Sequence, residues 1–456
     1  MSELITALAE ALPADAVVTD AAELASLGVD HSGIALGAPV ALVYPSSTDE
    51  VQAIVRVADR LGAPIVPQGA RTSLAGAASS VAGAILIDFA RMNRILSIDR
   101  IERSAVVQPG VTIAELATAV AEHGLFYAPD PVSAAWATVG GTIATNAGGM
   151  RCIKYGVTRE AIRSLEVVLA DGSVIRTRRD TIKGVAGLDI TGLMVGSEGT
   201  LGLVTEATVN LRPAPGPSRG VSAVFPTIAD ALEAANAVAT APQVPSTLEL
   251  LDDVALTAIR AYDPGLGIPA TAKAWLLAVT DAANGADGEL DAFEAAFRAN
   301  RAISVARAAD EVELDQLLAT RRALHPGMQS SLGGSLNGDI AVPRAQLGAV
   351  VARATTIAAE HDVIISIGGH VGDGNLHPVV AYDPADAEQL RRAHAAQDAM
   401  LAVAQELGGT VTGEHGIGTE KLHALDGELS PRVRELQRAI KAVFDPKGIF
   451  NPGTKL

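Results

Sequence analysis

The sequence GGHVGDGNLHP places His370 and His377 on either side of a Gly-Asp-Gly-Asn run, and VTGEHGIGTEK supplies Glu414 further along the chain. Two neutral imidazoles and one carboxylate suit Zn²⁺, Mn²⁺ or Fe²⁺ and leave coordination positions open for another molecule. On one straight strand the two imidazoles would point to opposite faces, so they converge only if the GDGN run forms a turn that reverses the chain. A histidine pair by itself is more often structural, and the residues alone leave both interpretations open.

A second group of residues has the composition of a phosphate-binding loop. The run QGARTSLAGAAS, residues 68–79, follows a predicted strand, and its backbone N–H groups can point into one concavity and bind a pyrophosphate. It contains no Lys and lacks the spacing G-x-G-x-x-G, which excludes the common phosphate loop and the dinucleotide-binding turn. Glycine is dense again from Thr138 to Gly156 and from Lys183 to Val209, as expected where a backbone approaches a ligand closely.

Alternating strands and helices must position these loops. A helix is predicted at 49–62, strands at 63–67 and 84–88 flank the first loop, and a helix from about Thr112 to His123 has the residues of a capping box at Thr112 and Glu115. The segment RPAPGPSRG at 212–220 indicates a domain boundary. Beyond it, residues 221–300 predict a β-α-β-β-α-β unit, and residues 338–407 predict a second copy of the same kind.

The glycine-rich runs, in this order, resemble the flavin domain of the vanillyl-alcohol oxidase and p-cresol methylhydroxylase superfamily, in the branch of D-lactate, glycolate and D-2-hydroxyglutarate dehydrogenases. The resemblance extends from about Pro45 to the final FNPGTKL. It implies an α+β fold with a two-subdomain FAD-binding domain at 1–214, a ferredoxin-like α+β substrate (cap) domain at 215–408, and a C-terminal helical segment at 409–456 that returns GEHGIG to the FAD domain.

The resemblance also implies where FAD binds. The pyrophosphate would lie against residues 69–73, the ribityl chain and ring near the polar side chains after Thr138, and the ribose and adenine near Glu198 and Val204. The flavin is expected to be non-covalent, because the loop GARTS has no His or Cys to attach it. The residues implied to contact FAD are Pro67, Gly69, Ala70, Arg71, Thr72, Ser73, Pro131, Thr138, Gly141, Thr142, Ala144, Thr145, Asn146, Gly149, Tyr155, Gly156, Glu198, Gly199, Val204 and Asn451.

The same resemblance assigns roles in the second half of the chain. It makes His370, His377 and Glu414 the metal ligands, and the next histidine, His415, the catalytic base. A chelated 2-hydroxy acid would then lose its hydroxyl proton to the base and a hydride from C2 to the flavin, which yields a 2-oxo acid.

The substrate carboxylate needs a cation, and TRRALHPG offers Arg321 and Arg322. On a helix, consecutive side chains point about 100° apart, so one of the two arginines is expected to face the site and the other solvent. Asn337 stands where hydroxyglutarate dehydrogenases carry a Lys, so a second carboxylate would lack its partner. This favours a small D-2-hydroxy acid, D-lactate or glycolate, over D-2-hydroxyglutarate.

The electrons must leave through a quinone, an electron-transfer protein or oxygen, because the single cysteine, Cys152, cannot supply the thiolates of an iron–sulfur cluster. The protein is expected to act as a homodimer or as the flavin subunit of a multi-subunit glycolate oxidase complex. The alternative of a different class is a metal-dependent hydrolase whose glycine-rich half binds a nucleotide.

Composition excludes several other classes of protein. The chain has 35 Lys and Arg against 52 Asp and Glu, a net charge of −17, and only 3% aromatic residues, which is unsuited to nucleic acid. No run approaches the about 20 apolar residues of a membrane span, and the acidic N-terminus does not resemble a signal peptide. With one cysteine, we expect a cytoplasmic location, with or without peripheral attachment to a membrane.

We predict that the purified protein carries FAD and that acid releases this FAD from the polypeptide. The absorbance spectra of the protein and of the supernatant after acid precipitation measure both properties. Folded protein without a flavin band, or flavin that stays in the precipitate, would contradict the prediction.

Overall fold

The computed structural model describes residues 3–456, which form two units. The first unit takes in residues up to 149 together with 156–214 and 414–456, and the second comprises 150–155 and 215–413. Each unit combines helices with sheets, which agrees with the mixed α+β class predicted from the sequence.

The first unit begins with a four-stranded sheet. Its strands are β1 (Val17–Val18), β2 (Ala41–Val43), β3 (Ile65–Gln68) and β4 (Ile85–Asp88), in the order β1-β2-β4-β3. β2 and β3 both run parallel to β4, and the predicted helix, observed at Thr48–Leu61, connects β2 to β3. The apolar face of this helix packs into the core, and the Ser47 side chain caps its first turn. The helix ends at Gly62, which adopts a left-handed conformation with a φ of +64°.

A second sheet of the first unit lies further along the chain. The next strands are β5 (Ile95–Asp99), β6 (Ser104–Val107), β7 (Leu125–Phe126), β8 (Ile162–Val168), β9 (Val174–Arg176), β10 (Leu203–Asn210) and β11 (Arg212–Pro213). Five of them form an antiparallel sheet in the order β5-β6-β10-β8-β9, and β7 pairs with β11. The apolar core of the four-stranded sheet also includes Val168 and Leu203 from the second sheet, and the predicted division into two subdomains stays a prediction.

The remaining helices of the first unit connect and cover these sheets. The predicted capping box is confirmed: Thr112 Oγ1 accepts from Glu115 N at 3.1 Å, and the Glu115 carboxylate accepts from Thr112 N at 2.9 Å. It starts the helix Ile113–Ala121. The other α-helices are Glu3–Ala11, Ala21–Leu27, Val139–Thr145, Thr158–Ala161, Ile190–Met194, Leu425–Glu428 and Pro431–Phe444, with 3-10 turns at Ala14–Ala16, Phe89–Arg91 and Leu422–Ala424.

The second unit is built on one eight-stranded antiparallel sheet. The strands are β12 (Arg219–Phe225), β13 (Thr247–Asp252), β14 (Ala274–Thr280), β15 (Ser304–Ala308), β16 (Gly334–Asn337), β17 (Ile340–Ala341), β18 (Ile364–His370) and β19 (Asn375–Tyr382). Their order is β15-β12-β14-β13-β18-β19-β16, and β17 also pairs with β19. The two predicted copies therefore share a single sheet, because β13 of the first pairs with β18 of the second.

Helices accompany this sheet along the second unit. They are Cys152–Tyr155, Ile228–Ala239, Asp253–Tyr262, Ala286–Ala299, Glu311–Arg322, Leu324–Leu332, Leu347–His361 and Ala387–Glu406, with 3-10 turns at Pro264–Leu266 and Arg344–Gln346. Among residues 3–456, no helix has both the length and the apolar character needed to cross a membrane.

The sequence prediction for this unit is wrong at one place. The predicted β-α-β-β-α-β order has no helix between its second and third strands, whereas the helix Asp253–Tyr262 lies between β13 and β14. The helix follows the strand without an intervening Gly or Pro, so the apolar residues of both elements read as one run. Asp252 marks the boundary, because its carboxylate accepts from Ala255 N at 2.8 Å and caps the helix.

Asp252 generates a prediction about stability and pH. Burial raises its pKa to about 7 from the ordinary value of 3.8, so the folded protein retains a proton that the unfolded chain releases. The stabilisation is fully present below pH 4 and is lost as the pH rises through 7. Asp252→Asn cannot ionise. We therefore expect the free energy of unfolding of the wild type to fall by about 2 to 3 kcal/mol more than that of the variant between pH 5 and pH 8.

Urea unfolding at the two pH values measures this difference. Asp310→Asn is the matched control, because Asp310 caps a helix in the same way from an exposed position, where it accepts from Glu313 N at 2.9 Å. Equal pH dependence in wild type and Asp252→Asn would contradict the assignment.

Candidate active site

The two histidines lie on a β-hairpin of the second unit. β18 ends at His370 and β19 begins at Asn375, so the turn between them reverses the chain as the sequence argument requires. His377 pairs with Gly368, two residues before His370, which puts both histidine side chains on the same face of the sheet. Their rings are 5.2 Å apart between centroids and nearly perpendicular, at 86°.

Gly374 makes this turn possible. Its φ is +90°, a conformation that residues with a side chain rarely adopt, and a Cβ there would collide with the backbone carbonyl of Val342. The convergence of the imidazoles therefore depends on glycine at this position.

Hydrogen bonds orient both imidazoles. His370 Nδ1 lies 2.6 Å from Oε1 of Glu249, and His377 Nδ1 lies 3.3 Å from the carbonyl oxygen of Gly338. A carbonyl only accepts, so His377 carries its proton on Nδ1, and Nε2 is the nitrogen with a lone pair for a ligand. The carboxylate of Glu249 imposes the same tautomer on His370.

Glu249 is a candidate functional residue that the sequence patterns did not identify. It lies in β13, its side chain is 0% exposed, and its second oxygen, Oε2, accepts from Arg321 Nε at 2.6 Å. Burial opposes its ionisation, but the interactions with His370 and Arg321, which include a hydrogen bond from each, outweigh this effect and lower the pKa of the carboxyl below its ordinary value. The available signal was a Glu inside the apolar strand TLELLD, all of whose residues are buried.

Arg321 and Arg322 have different environments. Arg321 bonds to Glu249 and its side chain is 18% exposed, whereas Arg322 pairs with Asp315 at 2.8 Å and its side chain is 54% exposed. The two point apart because they are consecutive on the helix Glu311–Arg322. These environments favour Arg321 as the substrate residue, and the role of either arginine stays a prediction.

Glu414 supplies the carboxylate of the candidate metal centre. Ligand atoms of His370, His377 and Glu414 all lie within 4.8 Å of one another, and the three residues are buried or half-buried. Glu414 Oε1 is also 3.9 Å from Nε2 of His415, the predicted base. Two imidazole nitrogens and one carboxylate oxygen at these separations fit a divalent Zn, Mn or Fe ion.

A buried carboxylate supports the chain on either side of this centre. Asp339 is 0% exposed and accepts from Asn375 Nδ2 and from Thr412 Oγ1, each at 2.7 Å. It therefore connects the first residue of β19 to the segment that leads into Glu414.

The first glycine-rich loop has the features of an anion site. Within residues 3–456, no backbone N–H from Ala70 to Leu74 donates to another protein atom, and these residues are half-buried or exposed. Arg71 has a φ of +57°, which turns successive N–H groups towards one side. The loop also closely approaches the start of the next glycine-rich segment, because a Cβ on Gly69 would collide with Thr138 Oγ1. These donors fit a flavin pyrophosphate.

The polar side chains after Thr138 mostly stabilise their own segment. Thr138 Oγ1 accepts from Gly141 N at 3.2 Å, and the hydroxyls of Thr142 and Thr145 donate to Val139 O at 3.0 Å and Gly141 O at 3.2 Å. Asn146 ends the helix with a φ of +56°. Their predicted contacts with the ribityl chain and ring would therefore use the remaining lone pairs and backbone groups.

Glu198 also has protein partners. It is 2% exposed, and its carboxylate accepts from Ile417 N and Gly418 N, each at 2.8 Å. Its backbone oxygen accepts from Asn451 Nδ2 at 2.7 Å. The carboxylate thus anchors the end of the GEHGIG segment within the first unit, and the predicted contact with ribose or adenine stays a prediction.

The other residues predicted to contact FAD lie in several places. Tyr155 belongs to the second unit, where its hydroxyl donates to Asp281 Oδ2 at 2.5 Å. Gly199, with a φ of +71°, packs against Pro67. The remaining ones are Val204 in β10, Ala144 on the helix Val139–Thr145, and the loop residues Pro131, Gly149 and Gly156.

Comparison with protein families gives two matches. Residues 39–178 match the FAD binding domain family, and residues 215–454 match the family of FAD linked oxidases, C-terminal domain. The chain is 40% identical over 416 residues to glycolate oxidase subunit GlcD of Bacillus subtilis, which covers 91% of this chain and 88% of that protein. It is 36% identical over 416 residues to D-lactate dehydrogenase of Archaeoglobus fulgidus, with 90% of each chain covered.

A solved structure supports the fold. The chain superimposes on p-cresol methylhydroxylase with a TM-score of 0.79 and 18% identity, over 99% of this chain and 96% of that one. At this identity the likeness establishes the fold alone.

The geometry predicts that replacing His377, a candidate metal ligand, and replacing His415, the candidate base, affect metal binding differently. His377→Ala should lose bound metal, because two ligands hold a divalent ion much less tightly than three, whereas His415→Ala should retain it. Metal content after dialysis, measured by plasma mass spectrometry, tests both variants. His394→Ala, on an exposed part of the helix Ala387–Glu406, is the control and should retain metal. Loss of metal from His415→Ala but not from His377→Ala would reverse the assignment.

Proposed function

Because this chain belongs to the FAD-linked oxidases of the vanillyl-alcohol oxidase and p-cresol methylhydroxylase superfamily, in the D-lactate and glycolate branch, we propose that it oxidises a small D-2-hydroxy acid to the 2-oxo acid. The family and the relatives make the protein an FAD-dependent oxidoreductase of hydroxy acids. The choice of D-lactate or glycolate, the metal and the hydride step are the proposal.

One observation carries this proposal: a cation and a metal-ligating histidine share the same buried carboxylate. Glu249 bonds to Arg321 and to His370, each at 2.6 Å. A 2-hydroxy acid has a carboxylate and a hydroxyl on adjacent carbons, so it requires a cation and a hydroxyl-binding group at short separation. Arg321 and the cluster of His370, His377 and Glu414 supply such a pair.

The residues divide the chemistry between them. The bound metal would supply Lewis-acid polarisation of the substrate hydroxyl, and FAD would supply the two-electron acceptor that takes the C2 hydrogen as hydride. His370, His377 and Glu414 hold the metal, residues 69–74 hold the flavin pyrophosphate, and Arg321 binds the substrate carboxylate. His415 takes the hydroxyl proton, so that loss of the proton and the hydride together converts the C2 alcohol to a carbonyl.

Asn337 supports a small substrate. It is exposed at the end of β16, and the next residue is Gly338, whose carbonyl bonds His377. An uncharged amide there provides no cation for the second carboxylate of D-2-hydroxyglutarate, which is the weaker candidate substrate.

Two relatives are named subunits of glycolate oxidase, which supports a second proposal, that the chain acts within a larger complex. The hydrolase alternative receives no support, since both matched families are flavin-dependent.

We expect D-lactate or glycolate to bleach the flavin absorbance faster than L-lactate or D-2-hydroxyglutarate. Stopped-flow reduction under anaerobic conditions measures the rates without assuming an electron acceptor. His415→Ala should bind FAD normally and reduce it about 10² to 10⁴ times more slowly, as expected for loss of a positioned base. Faster reduction by L-lactate or D-2-hydroxyglutarate, or an unchanged rate in His415→Ala, would contradict the proposal.

A further inference from the structure

We infer that Glu249 is a positioning residue that couples the metal centre to the carboxylate-binding arginine, so that one buried side chain sets the distance between the two groups that hold the substrate. This inference rests on the proposed function, because it assigns Arg321 to the substrate and His370 to the metal. Glu249 itself touches neither the metal nor the substrate.

The two carboxylate oxygens of Glu249 have different partners. Oε1 serves His370 and Oε2 serves Arg321, at 2.6 Å in both cases, and the side chain is 0% exposed. Both distances are at the short end for hydrogen bonds to a charged acceptor. Because water is excluded, these protein donors satisfy the carboxylate, and a change of Glu249 cannot be compensated easily by solvent.

The bonds to Glu249 determine which nitrogen atoms of His370 and Arg321 can face a ligand. With Nδ1 bonded to Glu249, His370 presents Nε2 as its ligand atom. Arg321 uses Nε towards Glu249, so its two terminal nitrogens are the ones that can form a paired contact with a carboxylate. Glu249 thus selects the tautomer of one residue and the orientation of the other.

Three different secondary-structure elements carry these residues. Glu249 lies on β13, His370 on β18 and Arg321 on the helix Glu311–Arg322, all in the second unit. β13 and β18 are paired strands, with Leu250 opposite Gly369, so the carboxylate and the imidazole are held by the sheet. The sheet therefore holds Glu249 and His370 in place, and the bond that Arg321 donates to Glu249 fixes this helical arginine relative to the metal centre.

Glu249→Gln separates this role from simple packing. Gln has an acceptor oxygen at one terminal position and an NH₂ donor at the other, so it cannot accept at both positions as Oε1 and Oε2 of Glu249 do. We expect its dissociation constant for Zn²⁺ to rise about 10- to 100-fold, as for other losses of a hydrogen bond to a metal-bound histidine, together with a higher KM for the substrate.

Two further variants complete the comparison. Arg321→Met removes the cation but leaves Glu249 on His370, so it should raise KM while its affinity for Zn²⁺ stays within about twofold of wild type. Asp315→Asn, which breaks the exposed pair with Arg322, is the matched control and should change neither quantity.

The measurements use the full-length, FAD-loaded protein stripped of metal, with Zn²⁺ alone as the probe in a chelator competition. Flavin absorbance and the thermal unfolding midpoint report whether each variant is folded. If Glu249→Gln does not fold, Glu249→Met with Arg321→Met leaves no unpaired buried charge, and it should bind Zn²⁺ at least about tenfold more weakly than Arg321→Met.

The outcomes separate the two levels of the proposal. A wild-type protein that binds no Zn²⁺, Mn²⁺ or Fe²⁺ would overturn the proposed metal centre. A wild type that binds Zn²⁺, alongside a folded Glu249→Gln with the same affinity and the same KM, would overturn the positioning role and leave the proposed function standing. Weaker Zn²⁺ binding together with a higher KM in Glu249→Gln, but only a higher KM in Arg321→Met, would support the coupling.

Discussion

A charged carboxylate removed from water must be surrounded by donors, and Glu249 imposes this constraint on the middle of the second unit. Its neighbours in β13 are apolar and fully packed, so they cannot satisfy it. His370 on β18 and Arg321 on the helix Glu311–Arg322 form hydrogen bonds with this carboxylate instead. The position of this helix against the sheet, the tautomer of the histidine and the choice of one arginine over its neighbour all depend on that requirement.

Buried carboxylates have a similar role elsewhere in the chain. Asp339 joins the start of β19 to Thr412, and Glu198 binds the backbone at Ile417 and Gly418. These anchors lie before and after Glu414 and His415 in the sequence, within a segment that has no helix or strand of its own. Irregular backbone can hold catalytic side chains in place when its N–H groups and flanking side chains bond to charged acceptors.

The glycine-rich loop addresses a different electrostatic problem. The chain has a net charge of −17, and Arg71, the charged residue in the loop, is paired with Asp88 at 2.8 Å. A phosphate group must therefore be bound mainly by backbone N–H groups, which attract an anion without a formal positive charge. The half-buried run from Arg71 to Leu74 offers such donors, whose conformation depends on the left-handed backbone at Arg71.

The sequence by itself determined the features that depend on neighbouring residues. The capping box at Thr112, the helix that ends at Gly62 and the turn before Asn375 follow from local backbone chemistry, and the motifs indicated the flavin family and the metal-ligating residue types. Only the tertiary structure showed that Arg321 and Arg322 have different partners and that Glu249 bonds to one of them. The partners of Glu249 lie 72 and 121 residues away, and no local pattern records a hydrogen bond between such distant positions. A glutamate in an apolar strand signals that some donor must be present, but which donor it is depends on how strands and helices far apart in the chain pack together.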